Sequence, residues 1–214
     1  DKAGKQPIEP GDVCWADLNN DGVINNLDRV KVGNLFPTVT GGFSTTLGYK
    51  DFSLYARFDY ALGHTLYNDL AARSLGQYQG SFNIIDMVKD SWSETNQNTD
   101  IPKFYYADQL SKKNITRSNN GLTAVDNNSS RFYEKGDYLA LREITLTWNL
   151  PKKWINKALM SNASVYVTGQ NLFYITGYTG VSPEPAVDTT YGQGLDNGRY
   201  PTPKTVLLGL SVTF

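Results

Sequence analysis

Residues Phe52–Gly63, FSLYARFDYALG, have the clearest strand pattern in this chain. Their side chains alternate between two sides of an extended strand, with Ser53, Tyr55, Arg57 and Asp59 on one side. The other side carries Phe52, Leu54, Ala56, Phe58, Tyr60 and Leu62. Period-two alternation predicts a strand with two unlike faces. A run of about twelve residues exceeds the ~5–6 of a usual globular strand and matches the ~9–11 of a tilted membrane-spanning strand.

Four other stretches repeat this alternation. We therefore predict an all-β chain with five strands, near residues 39–49, 52–63, 137–150, 162–175 and 204–214. The phase of the alternation changes between Leu141 and Arg142, which predicts a β-bulge there.

The predicted strands are joined by short and long connections in turn. Lys50–Asp51 is a tight turn, and residues 151–161 form a moderate link with about one helical turn. Residues 64–136 and 176–203 are much longer. This alternation is typical of outer-membrane barrels, which have short periplasmic turns and long external loops. Within the first long segment, apolar spacing predicts a short helix over 81–92, and the polar residues 95–130 predict loop.

The composition excludes several classes of function. A net charge of -1 gives no electrostatic basis for binding nucleic acid. The single histidine, His64, is predicted to be a loop residue and leaves little material for a zinc site or a Ser-His-Asp triad. No motif pairs two catalytic carboxylates, so we predict that the chain is not an enzyme. The single cysteine, Cys14, cannot form an internal disulfide and is expected to be partly buried.

Near the start of the chain, DLNNDGVINNLD has the spacing of a calcium-binding loop. Oxygen ligands recur at alternate positions, Gly22 lies at the sixth position, and Asp28 replaces the usual Glu at the twelfth. The candidate ligands are Asp17, Asn19, Asp21, the carbonyl of Val23, Asn25 and Asp28. Calcium fits these hard oxygen donors best, and the shorter Asp28 lets magnesium or sodium compete. The alternative is a polar turn whose side chains bond only to their own backbone.

Five longer segments follow one another along the chain. The acidic loop leads into VGNLFPTVTGGFSTTLGYKDFSL, followed by DSWSETNQNTDIP. After them come GDYLALREITLTWNLPKKW, VYVTGQNLFYITGYTGVSPE and YPTPKTVLLGLSVTF. Taken together, in this order and spacing, the segments resemble the C-terminal portion of the β-barrel in SusC/RagA-type TonB-linked outer-membrane transporters, also called TonB-dependent.

The resemblance implies an antiparallel transmembrane β-barrel segment, the last five strands of a ~22-stranded barrel, with long extracellular loops. Residues 1–38 would be an extracellular loop carrying the calcium-like site, and 39–214 the barrel strands with external loops 64–136 and 176–203. Phe214, the terminal aromatic, would serve as a signal for barrel assembly or as an interfacial aromatic. Barrels of this family are filled by an N-terminal plug domain. Arg57 and Asp59 would face the lumen or this plug.

The resemblance also implies location in the cell outer membrane and a function in nutrient import. The cargo would be a glycan or a peptide, and the partners a SusD-like surface lipoprotein, the rest of the same transporter, and TonB. Aromatic residues of the external segments could stack on sugar rings, but loop packing or partner contact is the favoured interpretation: Trp92, Tyr105, Tyr106, Tyr178 and Tyr191.

Two alternatives remain open from the sequence. The first is a soluble, calcium-stabilised β-sandwich that binds carbohydrate, since such modules also gather long loops at one end. The second is a fragment of a secreted hydrolase that carries such a module.

Overall fold

The computed structural model describes residues 9–22, 26–72, 74–75, 85–104, 130–156, 159–184 and 194–214. The chain divides into two compact units. One contains residues 34–64, 135–185 and 199–214, and the other contains 1–33, 65–134 and 186–198.

The first unit is an antiparallel sheet of five long strands. The strands are β1 (Val39–Tyr49), β2 (Phe52–Leu62), β5 (Tyr138–Asn149), β6 (Asn162–Thr176) and β8 (Thr205–Thr213). Each strand pairs with the next of these along the chain, in the order β1-β2-β5-β6-β8. All five predicted strands are confirmed, with bounds within about two residues.

The two short connections of this sheet lie at the same end. A two-residue turn joins β1 to β2, with Lys50 at a φ of 54° and Tyr49 paired with Phe52. The link between β5 and β6 contains the predicted helical turn, α2 (Lys152–Ile155). Ile155 is buried, so this turn is held by packing as well as by its backbone bonds.

The predicted bulge lies at Arg142. Along β2 the partner changes from Glu143, opposite Arg57, to Leu141, opposite Phe58, so Arg142 is the extra residue. On the other side of β5, Leu141 pairs with Phe173 and Glu143 with Gln170, and Asn171 has a positive φ of 52°. β5 and β6 therefore both carry an irregularity at the same level of the sheet. As a result, apolar side chains stay on one face and polar side chains on the other, on both sides of that level.

One face of this sheet is apolar and exposed. Cross-strand apolar contacts continue along it: Phe43 stacks on Phe58, and Phe52 stacks on Trp148 with ring centroids 6.0 Å apart. Its exposed members include Phe43, Leu47, Leu62, Leu146, Val167, Phe173, Ile175, Val206, Leu208 and Leu210.

The opposite face is polar, and we call it the polar face. It carries Asp59 opposite Ala140 and, on the far side of β5, Tyr174 opposite the same alanine. Thr145 and Thr168 form a hydroxyl pair at 2.8 Å on this face. The two faces of the same strands thus suit two different surroundings.

The second unit contains a small sheet that the sequence did not predict. It consists of β3 (Thr65–Asn68), β4 (Tyr133–Lys135) and β7 (Leu195–Asp196), in the order β4-β3-β7. A helical turn, α1 (Asp69–Ala72), follows β3. The hydrophobic core of the second unit comprises Tyr67, Ala72, Leu75, Ile101 and Phe132.

Other expectations for the second unit have mixed outcomes. A 3-10 helix at Asp86–Asp90 lies within the predicted helical range 81–92, of which 81–84 are outside the described residues. Most of the predicted loop 95–130 is also outside them. Cys14 is exposed, so the expectation of a partly buried thiol is wrong. Among the described helices, none combines the length and hydropathy needed to cross a membrane.

Candidate functional site

Arg142 is the centre of an ion-pair cluster on the polar face. Its guanidinium donates through Nε and Nη2 to the two carboxylate oxygens of Asp59, with the Nη2–Oδ2 bond at 2.9 Å. The bulge in β5 supplies Arg142 as the extra residue beside Asp59 of β2. The side chains are 18% and 35% exposed. A bidentate arginine–carboxylate pair with this much burial has a fixed geometry, unlike an ordinary surface pair.

A second carboxylate, Glu184, joins the same guanidinium. Arg142 Nη2 also donates to Glu184 Oε1, and the hydroxyl of Tyr174 donates to the same oxygen at 2.7 Å. Arg142 Nη1 donates in turn to the Tyr174 hydroxyl at 3.2 Å. Glu184 lies beyond the end of β6, so the cluster ties the chain that follows β6 back to the wall formed by β2 and β5.

Aromatic rings continue the cluster toward the loop end of the sheet. Tyr138 makes edge-to-face contacts with both Tyr174 and His64. His64 is 1% exposed, and its Nε2 lies 2.9 Å from the carbonyl oxygen of Pro183. Because a carbonyl can only accept, Nε2 carries the proton and donates. His64 does lie in the connection after β2, as predicted, but it is a buried packing residue there.

Arg57, predicted to face the lumen or plug, also lies on the polar face but outside the cluster. Its guanidinium is 4.0 Å from Glu143, and its side chain is 56% exposed. With Asp59, Arg142 and the small residues of β1 it lines an open cleft of about 530 Å³.

The acidic loop closes on itself in the second unit. Asp17 accepts hydrogen bonds from the backbone amides of Asp21 and Gly22 at 3.2 and 2.7 Å. Asp28 accepts one from the amide of Leu18 at 2.9 Å, which brings the twelfth position back to the start of the loop. Gly22 has a positive φ of 81°, as the sixth position of a calcium loop requires.

The remaining candidate ligands are Asn19, Val23 and Asn25. Asn19 accepts from the amide of Asp21 at 3.0 Å and donates to its carboxylate at 2.9 Å. Val23 and Asn25 lie outside the described residues. Over the described ranges, no group of three or more His, Cys, Asp or Glu side chains forms a potential metal cluster.

The other candidates from the sequence differ in their exposure to solvent. Phe214 follows β8 and is 87% exposed, and Tyr178 is buried at 7%. Tyr105, Tyr106 and Tyr191 lie outside the described residues. The sequence pattern missed the pairing of Arg142 with Glu184, and the one local signal for it was the phase change at Leu141–Arg142.

Replacing Arg142 with Met should destabilise the fold by about 1–3 kcal/mol. Removing one partner of a fully buried ion pair costs about 3–5 kcal/mol, and the loss is smaller here because the groups of the cluster are partly exposed. The loss leaves the carboxylates of Asp59 and Glu184 side by side without a cation. Chemical denaturation followed by tryptophan fluorescence measures the change. Arg57→Met, the matched control, should cost less than about 0.5 kcal/mol. Equal losses in the two variants would contradict the role given to the cluster.

Curated relatives match the chain along nearly its whole length. TonB-dependent receptors P3 and P26 of Formosa agariphila are each 32% identical to it, over 96% and 98% of this chain. The TonB-dependent receptor SusC of Bacteroides thetaiotaomicron is 26% identical over 100% of it. The chain spans only about a fifth of each relative, between 18% and 20% of their lengths. No family model matches the sequence.

Solved structures show the same fold. The RagAB peptide transporter superposes with a TM-score of 0.62 at 26% identity, covering 83% of this chain and 17% of that one. The RagAB peptide importer in its closed-closed state gives a TM-score of 0.61 at 27% identity. With the long antiparallel strands, the two unlike faces and the matches in sequence, these likenesses identify the chain as a portion of a SusC/RagA-type TonB-dependent transporter of the outer membrane.

Proposed function

We propose that this chain is part of a TonB-dependent importer that carries glycans or peptides through the outer membrane. The relatives are TonB-dependent receptors, and RagAB is a peptide importer. A SusD-like surface lipoprotein would be the partner of the external loops. TonB would act through parts of the transporter beyond these residues.

The exposed apolar face of the five-stranded sheet carries this proposal. Leu208 is 80% exposed and Val206 is 72% exposed, which would be unfavourable for a contiguous face in water. In a β-sandwich the same face would be buried against a second sheet. In a barrel it contacts lipid, while the polar face lines the interior. The lipid environment therefore accounts for both faces, and we favour the importer over the soluble calcium-stabilised β-sandwich.

This assignment orients the segments of the chain. The short connections at Lys50–Asp51 and 151–161 would lie at the periplasmic end. Residues 1–38 and the connections 64–136 and 176–203 would then be extracellular. The small sheet of the second unit, which draws on these segments, would be an ordered part of the external surface.

Deleting the gene for the intact transporter should abolish uptake of its cargo by whole cells. Uptake of labelled oligosaccharides and labelled peptides, measured in separate arms, would identify the cargo class. A plasmid copy should restore uptake, and inactivation of TonB should prevent that restoration. The purified native particle should also contain the full barrel and a lipoprotein. Normal uptake of every probe by the deleted strain, with the chain running as a detergent-free monomer, would contradict the proposal.

We further propose that the acidic loop binds calcium and thereby stiffens the external segment. Its donors are carboxylate and amide oxygens, which suit calcium. A carboxylate has about four lone-pair sites, so an oxygen that accepts a backbone amide can still bind an ion. The same hydrogen bonds also suit a plain polar turn, so the choice depends on a measurement with and without the ion.

Calcium removal should speed proteolytic cleavage between residues 17 and 28. At a calcium concentration of ten times Kd, the cleavable open state should be about tenfold less populated than without the ion. Asp17→Ala with Asp21→Ala should cleave rapidly in both conditions and still assemble the barrel, whereas the control Asp12→Ala should retain the calcium effect. The same cleavage rates are measured with magnesium or sodium in place of calcium, to compare the three ions. If chelation left the cleavage rate of the wild type unchanged, the loop would be a polar turn.

Phe214 is proposed to be the terminal aromatic that the barrel-assembly machinery recognises. Phe214→Ala should lower the fraction of the transporter folded in the outer membrane, measured by its heat-modifiable mobility, while Phe214→Tyr should retain it. Phe43→Ala is the control, since Phe43 is another exposed aromatic, at 53%, on the apolar face. An equal loss in Phe43→Ala and Phe214→Ala would show an interfacial aromatic without a signalling role.

A further inference from the structure

Residues 181–184, which we call the strap, are attached at two points, to His64 after β2 and to the ion-pair cluster on the polar face. The carbonyl oxygen of Pro183 accepts from His64 Nε2 at 2.9 Å. The Glu184 carboxylate accepts from Arg142 Nη2 and from the Tyr174 hydroxyl. The Glu184 amide also bonds to Ser182 Oγ at 3.3 Å, which keeps the strap compact.

The charges at the second attachment point do not balance. One guanidinium, that of Arg142, holds two carboxylates, those of Asp59 and Glu184. Asp59 has the bidentate pairing through Nε and Nη2, and Glu184 shares only Nη2. If Glu184 leaves, Arg142 remains paired with Asp59 and bonded to Tyr174. No cation is left buried and unpaired, so release avoids the largest cost of breaking such a cluster.

The groups that hold Glu184 are also the groups that any carboxylate would need. A guanidinium edge and a tyrosine hydroxyl donate to one oxygen, and the two groups are also hydrogen-bonded to each other. The Glu184 side chain is 32% exposed, so another carboxylate can reach the position without opening the core.

We propose that Arg142 and Tyr174 form a carboxylate-binding subsite, which Glu184 occupies in the resting protein and which a cargo carboxylate takes over, releasing the strap. The proposal rests on the import function proposed above. A tethered carboxylate competes at an effective concentration of millimolar order, so a free acid must match that level. The carboxylate of a cargo already held in the interior by other contacts has an effective concentration of that order. Weak binding at the subsite also allows the cargo to leave it and continue through the transporter.

Two kinds of cargo supply such a carboxylate. A peptide has one at its C-terminus, and an acidic glycan has one on each uronic acid. N-acetyl-glycyl-glycine and galacturonate serve as probes for the two sources. Their matched neutral controls are N-acetyl-glycyl-glycinamide and galactose, compared at the same ionic strength.

Hydrogen exchange of the intact transporter in detergent, without TonB, tests the proposal. Glu184→Gln should raise the exchange rate of amides in residues 177–184 about tenfold, as expected for losing a hydrogen bond to a charged group. Asp59→Asn should slow the same amides, because Glu184 becomes the sole carboxylate on Arg142. The control Glu143→Gln removes a carboxylate from β5, the strand that carries Arg142, on the same polar face. It should leave the exchange rates of residues 177–184 unchanged.

The probes complete the test. At least one carboxylate probe should speed exchange of the strap in the wild type, and neither should add to the rate already seen in Glu184→Gln. His64→Phe, which removes the other attachment, should speed the same amides, and its factor should multiply that of Glu184→Gln in the double variant.

Three results would overturn the proposal. They are unchanged exchange in Glu184→Gln, an equal effect of Glu143→Gln, or carboxylate probes that act no more strongly than their neutral controls. None of these readouts involves transport. A transporter whose strap responds as expected but which imports nothing would contradict the import function alone.

Discussion

The structure depends on the requirement that one strand satisfy two surroundings at once. A strand between lipid and a polar interior must complete its backbone hydrogen bonds with its neighbours, because hydrocarbon offers no partners. Its side chains then alternate strictly between two faces. In β2 this gives Phe58 on the apolar face and Asp59 on the polar face, and every neighbouring strand must keep the same register.

The bulge at Arg142 is the one place where this register is interrupted. An extra residue in β5, matched by the irregularity at Asn171 in β6, adds a side chain to the polar face without reversing the faces above and below. That side chain is the guanidinium which pairs with Asp59 and Glu184. The interruption therefore provides the ion-pair cluster and, through it, the attachment of the chain that follows β6.

Most of the large sheet could be predicted from the sequence, because alternation is a local signal. The strand at 52–62 has it in full, the strand at 205–213 has it except at Leu207, and the phase change at Leu141 located the bulge. The small sheet was missed since β7 has only two residues and pairs with β3 across a long sequence separation. Such a strand has too few side chains to show a period.

The candidate site was less predictable for the same reason. The acidic loop has a local spacing, whereas the contact of Glu184 with Arg142 joins residues 42 positions apart. His64 follows a strand end and carries no pattern that distinguishes an exposed loop residue from one with 1% exposure. Its hydrogen bond to the carbonyl of Pro183 joins residues 119 positions apart, and no local pattern shows such a contact.

An outer-membrane barrel places one face of the five-stranded sheet against lipid and the other toward a polar interior. Spin labels at single cysteines, in the transporter with Cys14 replaced by serine and reconstituted in bilayers, test it most directly. Labels replacing Phe43 and Leu208 should be accessible to oxygen, which dissolves in lipid, and protected from a water-soluble nickel complex. Labels replacing Ser44 and Ser211, on the polar face, should not combine accessibility to oxygen with protection from the nickel complex. The same accessibility pattern at all four positions would contradict the account.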